Sequence, residues 1–140
     1  MEYLLEKPVT AHIGTAKYQC KVKWRNGEFI ADEPETVGGK STGPDPYTLL
    51  LSSLGTCTLA TLRMYIDRKI WDIPEIGISL NMYHAVKDGK NMTIIDRKLN
   101  FLSPVSTEQR DRLLQIAKVC PVSKILEGEI QVQTSLHAES

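Results

Sequence analysis

The sequence predicts one α+β domain spanning residues 1–140, and three observations carry that prediction. Asn26-Gly27 and Asp88-Gly89 each sit between runs rich in β-branched, aromatic or alternating residues, the strongest short-range signal for a hairpin. Asp45-Pro46, and Ser106 with Gln109 three residues on, each open a long apolar run with the chemistry of a helix start. The resulting order is strands, helix, strand hairpin, helix, strand, without repeats, low-complexity tracts or linkers. A chain of 140 residues suits one domain and can bury about 68–70% of its unfolded surface.

Val9–Thr15 and Tyr18–Trp24 read as strands, and Asn26-Gly27 folds the second back onto Glu28–Asp32. From Glu33 to Pro46 the residues Pro34, Gly38, Gly39, Gly43, Pro44 and Pro46 make an irregular loop, either a solvated connector or a site-forming segment. Asp45 then caps a helix over Pro46–Lys69 that is apolar around most of its girth, the pattern of a helix buried in the middle of something. Its last turns, with Arg63, Asp67, Arg68 and Lys69, are amphipathic and face solvent. Gly55 inside it costs about 1 kcal/mol relative to Ala, which points to a close neighbour two residues before Cys57.

Ile76–Lys87 and Asn91–Leu102 form the second hairpin, around Asp88-Gly89. Ser106 and Gln109 make a capping box for a helix whose apolar side carries Leu113, Leu114, Ile116, Ala117 and Cys120. Pro121 ends or kinks that helix and Val122–Leu126 gives one further helical turn. Gly128 stops it, and Glu129–Leu136 alternates as a final strand.

Composition excludes several classes. Lys+Arg and Asp+Glu both number 17, so there is no basic excess for a general nucleic-acid binder. The longest apolar run lies within Leu49–Leu54 and is broken by Ser52 and Ser53, far short of the roughly 18 residues a membrane span needs. Met1–Glu6 lacks a basic and then apolar leader, so no export signal is expected. Three cysteines do not make a secreted disulfide framework, and the expected location is a reducing cytoplasm.

The cysteines are the residues with chemistry to offer. Cys57 lies mid-helix, where its own helix gives a thiolate no help, so a cation must come from elsewhere in the fold. Cys120 precedes Pro121 and fits the N-cap of the short helix, where free N–H groups favour a thiolate. Spacing alone leaves two readings open: a redox pair, or two core residues with Cα atoms beyond the roughly 7 Å a disulfide spans. Cys20, on a strand, reads as structural. His12, His84 and His137 lie far from one another and from any second ligand, so no metal site is expected, and they read as solvent-facing strand residues. The Gly38–Gly43 loop has no Gly-Lys-Ser/Thr leading into the helix, so it does not match a phosphate cradle.

The segment Gly43-Pro44-Asp45-Pro46-Tyr47-Thr48-Leu49-Leu50-Leu51-Ser52-Ser53-Leu54-Gly55-Thr56-Cys57-Thr58 resembles the OsmC/Ohr family of osmotically induced and organic hydroperoxide resistance proteins. Asp32-Glu33-Pro34 followed by Gly38-Gly39, then Thr61–Tyr65 and Cys120-Pro121-Val122-Ser123, are similar to an OsmC-like branch. The resemblance implies two antiparallel sheets with long central helices in an intertwined homodimer. It also implies a peroxidatic Cys57 that attacks an organic hydroperoxide and a resolving Cys120 that closes a disulfide on it. No bound cofactor is implied, only an external dithiol reductant, with a lipoylated carrier as one form of it.

One departure bears on that mechanism. Strongly active members carry an Arg that stabilises the thiolate and a Glu that holds the Arg, about three helical turns before the first cysteine. Those Glu positions here hold Tyr47 and Thr48. Arg25 is the one Arg before Cys57 and sits in the hairpin turn, outside the family's Arg motif. Candidate substitutes are Lys40 for the cation, Glu33 and Asp45 for the carboxylate, and Tyr47 as a hydrogen-bond donor. The alternative function is a weakly active or non-catalytic dimer on the same scaffold that binds a hydrophobic ligand or senses redox state.

Overall fold

The computed structural model describes residues 2–137. It divides into two compact units, residues up to Ser52 and residues from Ser53 onward. The first holds a three-stranded antiparallel sheet in the order β1-β2-β3, from Thr10–Ile13, Cys20–Trp24 and Gly27–Ala31. The Asn26-Gly27 turn sets its register, with Trp24 opposite Gly27 and Cys20 opposite Ala31.

The loop after β3 is ordered around one buried carboxylate. Asp32 accepts hydrogen bonds from the backbone N–H groups of Tyr18, Glu33, Lys40 and Thr42 and from the Thr42 hydroxyl. Glu35–Val37 makes a single 3-10 turn within this loop. Gly39 lies so close to the Glu33 carbonyl that a Cβ there would overlap it, so glycine is demanded by the backbone's approach.

Helix α1, Pro46–Lys69, begins where the sequence places it. Asp45 accepts from the Tyr47 N–H at 3.2 Å and from the Thr48 hydroxyl, with Pro46 at the first helical position. Its buried residues from Leu54 on, Leu54, Gly55, Thr58, Leu62, Tyr65 and Ile66, fall on one stripe. Here the expectation of a helix buried all round is corrected: Leu50 is 41% exposed and Met64 65%. Leu50 and Met64 lie off the buried stripe and are left exposed by the described residues. By length and composition α1 matches a membrane span, with an 18-residue stretch of mean hydropathy 1.3. The helix ends at Ile70, a β-branched residue held at φ 55°, while Trp71 donates back to the Ile66 carbonyl at 3.1 Å.

The second unit is built on a hairpin of β4, Ile76–Lys87, and β5, Lys90–Phe101, turned by Asp88 at φ 51° and Gly89 at φ 74°. Ile76, Ile78, Leu80 and Met82 share one face with Ile95, Arg97, Leu99 and Phe101. That face meets α1 at Gly55, where an added Cβ would stand 2.8 Å from Leu80 Cδ1, so the predicted close neighbour is Leu80. Leu62, Tyr65, Ile66, Ile73, Leu113 and Ala117 form the core beside it.

Helix α2, Thr107–Ala117, carries the predicted capping box: Gln109 N–H donates to Ser106 Oγ at 3.1 Å and Ser106 N–H to Gln109 Oε1 at 3.2 Å. Helix α3, Pro121–Glu127, starts from Cys120 in an extended conformation and ends at Gly128. The predicted final strand at Glu129–Leu136 is not formed. Its alternation is present, but no described strand pairs with it, and Ile130, Val132 and Leu136 stand 57%, 82% and 96% exposed. Backbone donors without a partner strand do not make a ladder.

Candidate active site

Three elements of the second unit converge on two sulfurs. Helix α1 delivers Cys57 and, one residue on, Thr58. The turn into α3 delivers Cys120, and β5 delivers Arg97 from the inner face of the hairpin. Thr58, the residue after Cys57, brings its hydroxyl 3.5 Å from the Cys120 sulfur, and the Cys57 thiol is among the groups that favour the Cys120 anion.

The two thiols differ in surroundings. Cys57 is half-buried, and its backbone carbonyl accepts the Thr61 hydroxyl at 2.8 Å. Cys120 is fully buried, 0% exposed. Its sulfur lies 3.5 Å from Thr58 Oγ1 and 3.8 Å from Arg97 Nη1. Arg97 Nη1 also donates to Thr58 Oγ1 at 3.0 Å, and Arg97 Nη2 to Ser123 Oγ at 3.4 Å. Among the described residues Arg97 makes no ion pair with a carboxylate, so its charge is left for the sulfur.

Burial alone pushes the Cys120 thiol up, but the Thr58 hydroxyl, the Ser123 N–H, the Cys57 thiol and the Arg97 charge together bring it below the ordinary thiol value. Cys120 stands at the N-cap of α3, as its place before Pro121 predicts, and the Ser123 N–H favours the anion without closing a cap bond to the sulfur. Loss of a proton from Cys120 leaves a buried anion held by a hydroxyl and a guanidinium, a thiol poised for nucleophilic exchange.

The other candidates belong to the first unit. Arg25 lies over the Trp24 ring, 5.8 Å from its centroid. Glu33 and Lys40 each give a backbone N–H to Asp32, and the Lys40 side chain is exposed. Tyr47 is 65% exposed, and its N–H goes to Asp45, whose carboxylate is engaged as the helix cap. Sequence reasoning looked for the cation ahead of Cys57 and missed Arg97. The signal was its place between Ile95 and Leu99 on the inward face of a strand, where an arginine needs a partner. Among the described residues no group of three or more His, Cys, Asp or Glu gathers to hold a metal ion. His12 and His84 are exposed on β1 and β4, and His137 is exposed outside any strand.

Fold and site define a class: a small α+β protein with one cysteine on α1, another at the start of α3 and Arg97 beside the buried one. The chain belongs to the OsmC-like protein family, whose model matches residues 38–135. No curated protein matches it by sequence. It is similar in fold to an OsmC-like protein from Mycoplasma pneumoniae, with a TM-score of 0.73, 21% identity and 90% of each chain covered. An organic hydroperoxide resistance protein from Elizabethkingia anophelis gives a TM-score of 0.69 at 24% identity, covering 94% of each chain. The organic hydroperoxide resistance protein OsmC from Legionella pneumophila gives 0.67 at 17% identity, covering 91% of this chain and 93% of its own.

Proposed function

We propose that the protein is a homodimeric thiol peroxidase for organic hydroperoxides, with Cys57 peroxidatic and Cys120 resolving. The observation that carries this reading is the fully buried Cys120 sulfur 3.5 Å from the hydroxyl of Thr58, the residue next to the half-buried Cys57 on α1. The Cys57 thiolate attacks the peroxide oxygen; an S–O bond forms, the O–O bond breaks, and the alkoxide leaves as alcohol with a proton. Cys120 then attacks the Cys57 sulfenic sulfur, closing the disulfide and releasing water. An external dithiol restores both thiols.

Mass spectrometry after one equivalent of cumene hydroperoxide tests the reading. A Cys57–Cys120 disulfide is expected; Cys57→Ser abolishes it, and Cys120→Ser leaves a sulfenic acid that proceeds to higher oxides. Folded protein that consumes no cumene hydroperoxide with any dithiol overturns the assignment. One observation favours a second reading, a ligand-binding or redox-sensing dimer without efficient turnover: Tyr47 and Thr48 stand where active members carry the carboxylate, while the structure's cation bears on Cys120. Disulfide formation at stoichiometric peroxide without turnover selects it.

A further inference from the structure

We propose that the Cys57–Cys120 disulfide is reduced in one direction only: the dithiol attacks Cys57, and Cys120 departs as a thiolate held by Arg97 and Thr58. The inference rests on the paired-thiol reading above and goes beyond it by assigning the attacked sulfur, the leaving sulfur and the role of Arg97.

Exposure and charge select the same direction. An attacking thiolate must reach one sulfur along the line of the S–S bond. Cys57 is half-buried, whereas Cys120 has no exposed surface. The sulfur left behind takes a negative charge, and thiol exchange runs faster when that charge is stabilised. At Cys120 the stabilising groups are already in place: Thr58 Oγ1 at 3.5 Å and Arg97 Nη1 at 3.8 Å. The guanidinium is fixed at its other nitrogen by Ser123 Oγ at 3.4 Å, and Ser123 is itself 3% exposed. A planar fork pinned at both ends, and without a carboxylate partner among the described residues, has its charge left for the sulfur.

The steps balance. One thiolate of the dithiol bonds to Cys57 Sγ as the Cys57–Cys120 bond breaks, and the electron pair of that bond stays on Cys120. The second thiol of the reductant, deprotonated, attacks the reductant's own sulfur. This releases Cys57 and oxidises the dithiol to a disulfide; two electrons have passed to the protein. In the oxidative half of the cycle the same Arg97 holds Cys120 as the nucleophile that attacks the sulfenic acid.

The test forms the disulfide with diamide, without peroxide, in a Cys20→Ser background so that only two sulfurs are mapped. Brief exposure to 2-mercaptoethanol followed by iodoacetamide traps the mixed disulfide for peptide mass spectrometry. The expected product carries mercaptoethanol on Cys57 and the alkyl group on Cys120. An adduct on Cys120, an equal split, or no bridge with diamide overturns the proposal. Arg97→Met is expected to cut the Cys57:Cys120 adduct ratio and the exchange rate each by about threefold or more, with Arg97→Lys intermediate. Circular dichroism checks that both remain folded, and a ratio unchanged in both folded variants removes Arg97 from the account. A retained Cys57 bias in a protein that consumes no hydroperoxide sinks the peroxidase reading and leaves this inference standing.

Discussion

Arg97 and Thr58 meet at 3.0 Å, nitrogen to oxygen, although 39 residues separate them and each lies beside the sulfur of Cys120. Thr58 has one proton to give. In the thiol form it goes to the Leu54 carbonyl at 2.7 Å, and Arg97 supplies a donor to the same oxygen.

Thr58→Val removes the hydroxyl while keeping the shape of the side chain. The Cys120 thiol is expected to titrate higher than in the native protein, followed by thiolate absorbance or by the pH dependence of iodoacetamide labelling. The lost buried hydrogen bonds cost about 1–2 kcal/mol, read from urea unfolding. The sign of the linkage follows. Because folding lowers the Cys120 value, its contribution is full above the ordinary thiol range near about 8.5 and fades as pH falls through the folded value. The native reduced protein should therefore gain stability on going from neutral to alkaline pH relative to Thr58→Val. Equal gains in the two proteins contradict the thiolate assignment.

In the first unit, acid should act through Asp32. Its carboxyl is lowered from 3.8 to about 2, first by the Thr42 hydroxyl at 2.6 Å, against the opposing effect of burial, and further by N–H groups of Thr42, Glu33 and Tyr18. The stabilisation is fully present above about 3.8 and is lost as pH falls through about 2. Asp32→Asn is expected to lower the urea midpoint at neutral pH, because an amide brings donors into a ring of donors. It should also flatten the acid dependence seen by circular dichroism.

Ile70 is 90% exposed at φ 55°, a conformation in which a β-branched side chain crowds its own backbone. Ile70→Gly is expected to raise stability by about 1 kcal/mol, a gain of roughly 3 °C in melting temperature for a chain of this size. No gain in thermal melting would show that the exposed isoleucine is held by something else.

Substitution of Gly55 should separate helix propensity from packing. In Gly55→Ala the new Cβ meets only the far methyl of Leu80, which can swing aside, and helix propensity returns about 1 kcal/mol, so the net change is small. Gly55→Val adds bulk against Leu80 and Ile78 and is expected to cost about 1–3 kcal/mol. Equal stabilities of the two variants by urea unfolding would contradict the close approach.

What the sequence made legible was what short-range chemistry decides. The Asp45-Pro46 start, the Ser106–Gln109 capping box, the Asp88-Gly89 turn and Cys120 at a helix cap each depend on residues within a few positions of one another. Arg97 was legible only as an oddity on an apolar strand face, because its meaning needs Thr58 from α1 and Cys120 and Ser123 from the start of α3. Glu129–Leu136 shows the converse limit. Alternation records which side chains face the same way, but a strand also requires a neighbour to receive its backbone, and the described chain offers none.

Arg97 stands opposite Leu80 across the hairpin, with Asp96 before it and Lys98 after it on the other side of the sheet. Sliding β5 by a single position would turn Asp96 or Lys98 to the inner face, putting a carboxylate or a shorter, single-point ammonium in place of the guanidinium fork. The ladder is thus a ruler whose misreading reverses or blunts the field at the Cys120 sulfur. A misaligned hairpin would be silent chemically before it was visibly unfolded, and loss of thiol reactivity should be the earliest sign of damage anywhere along those twelve rungs.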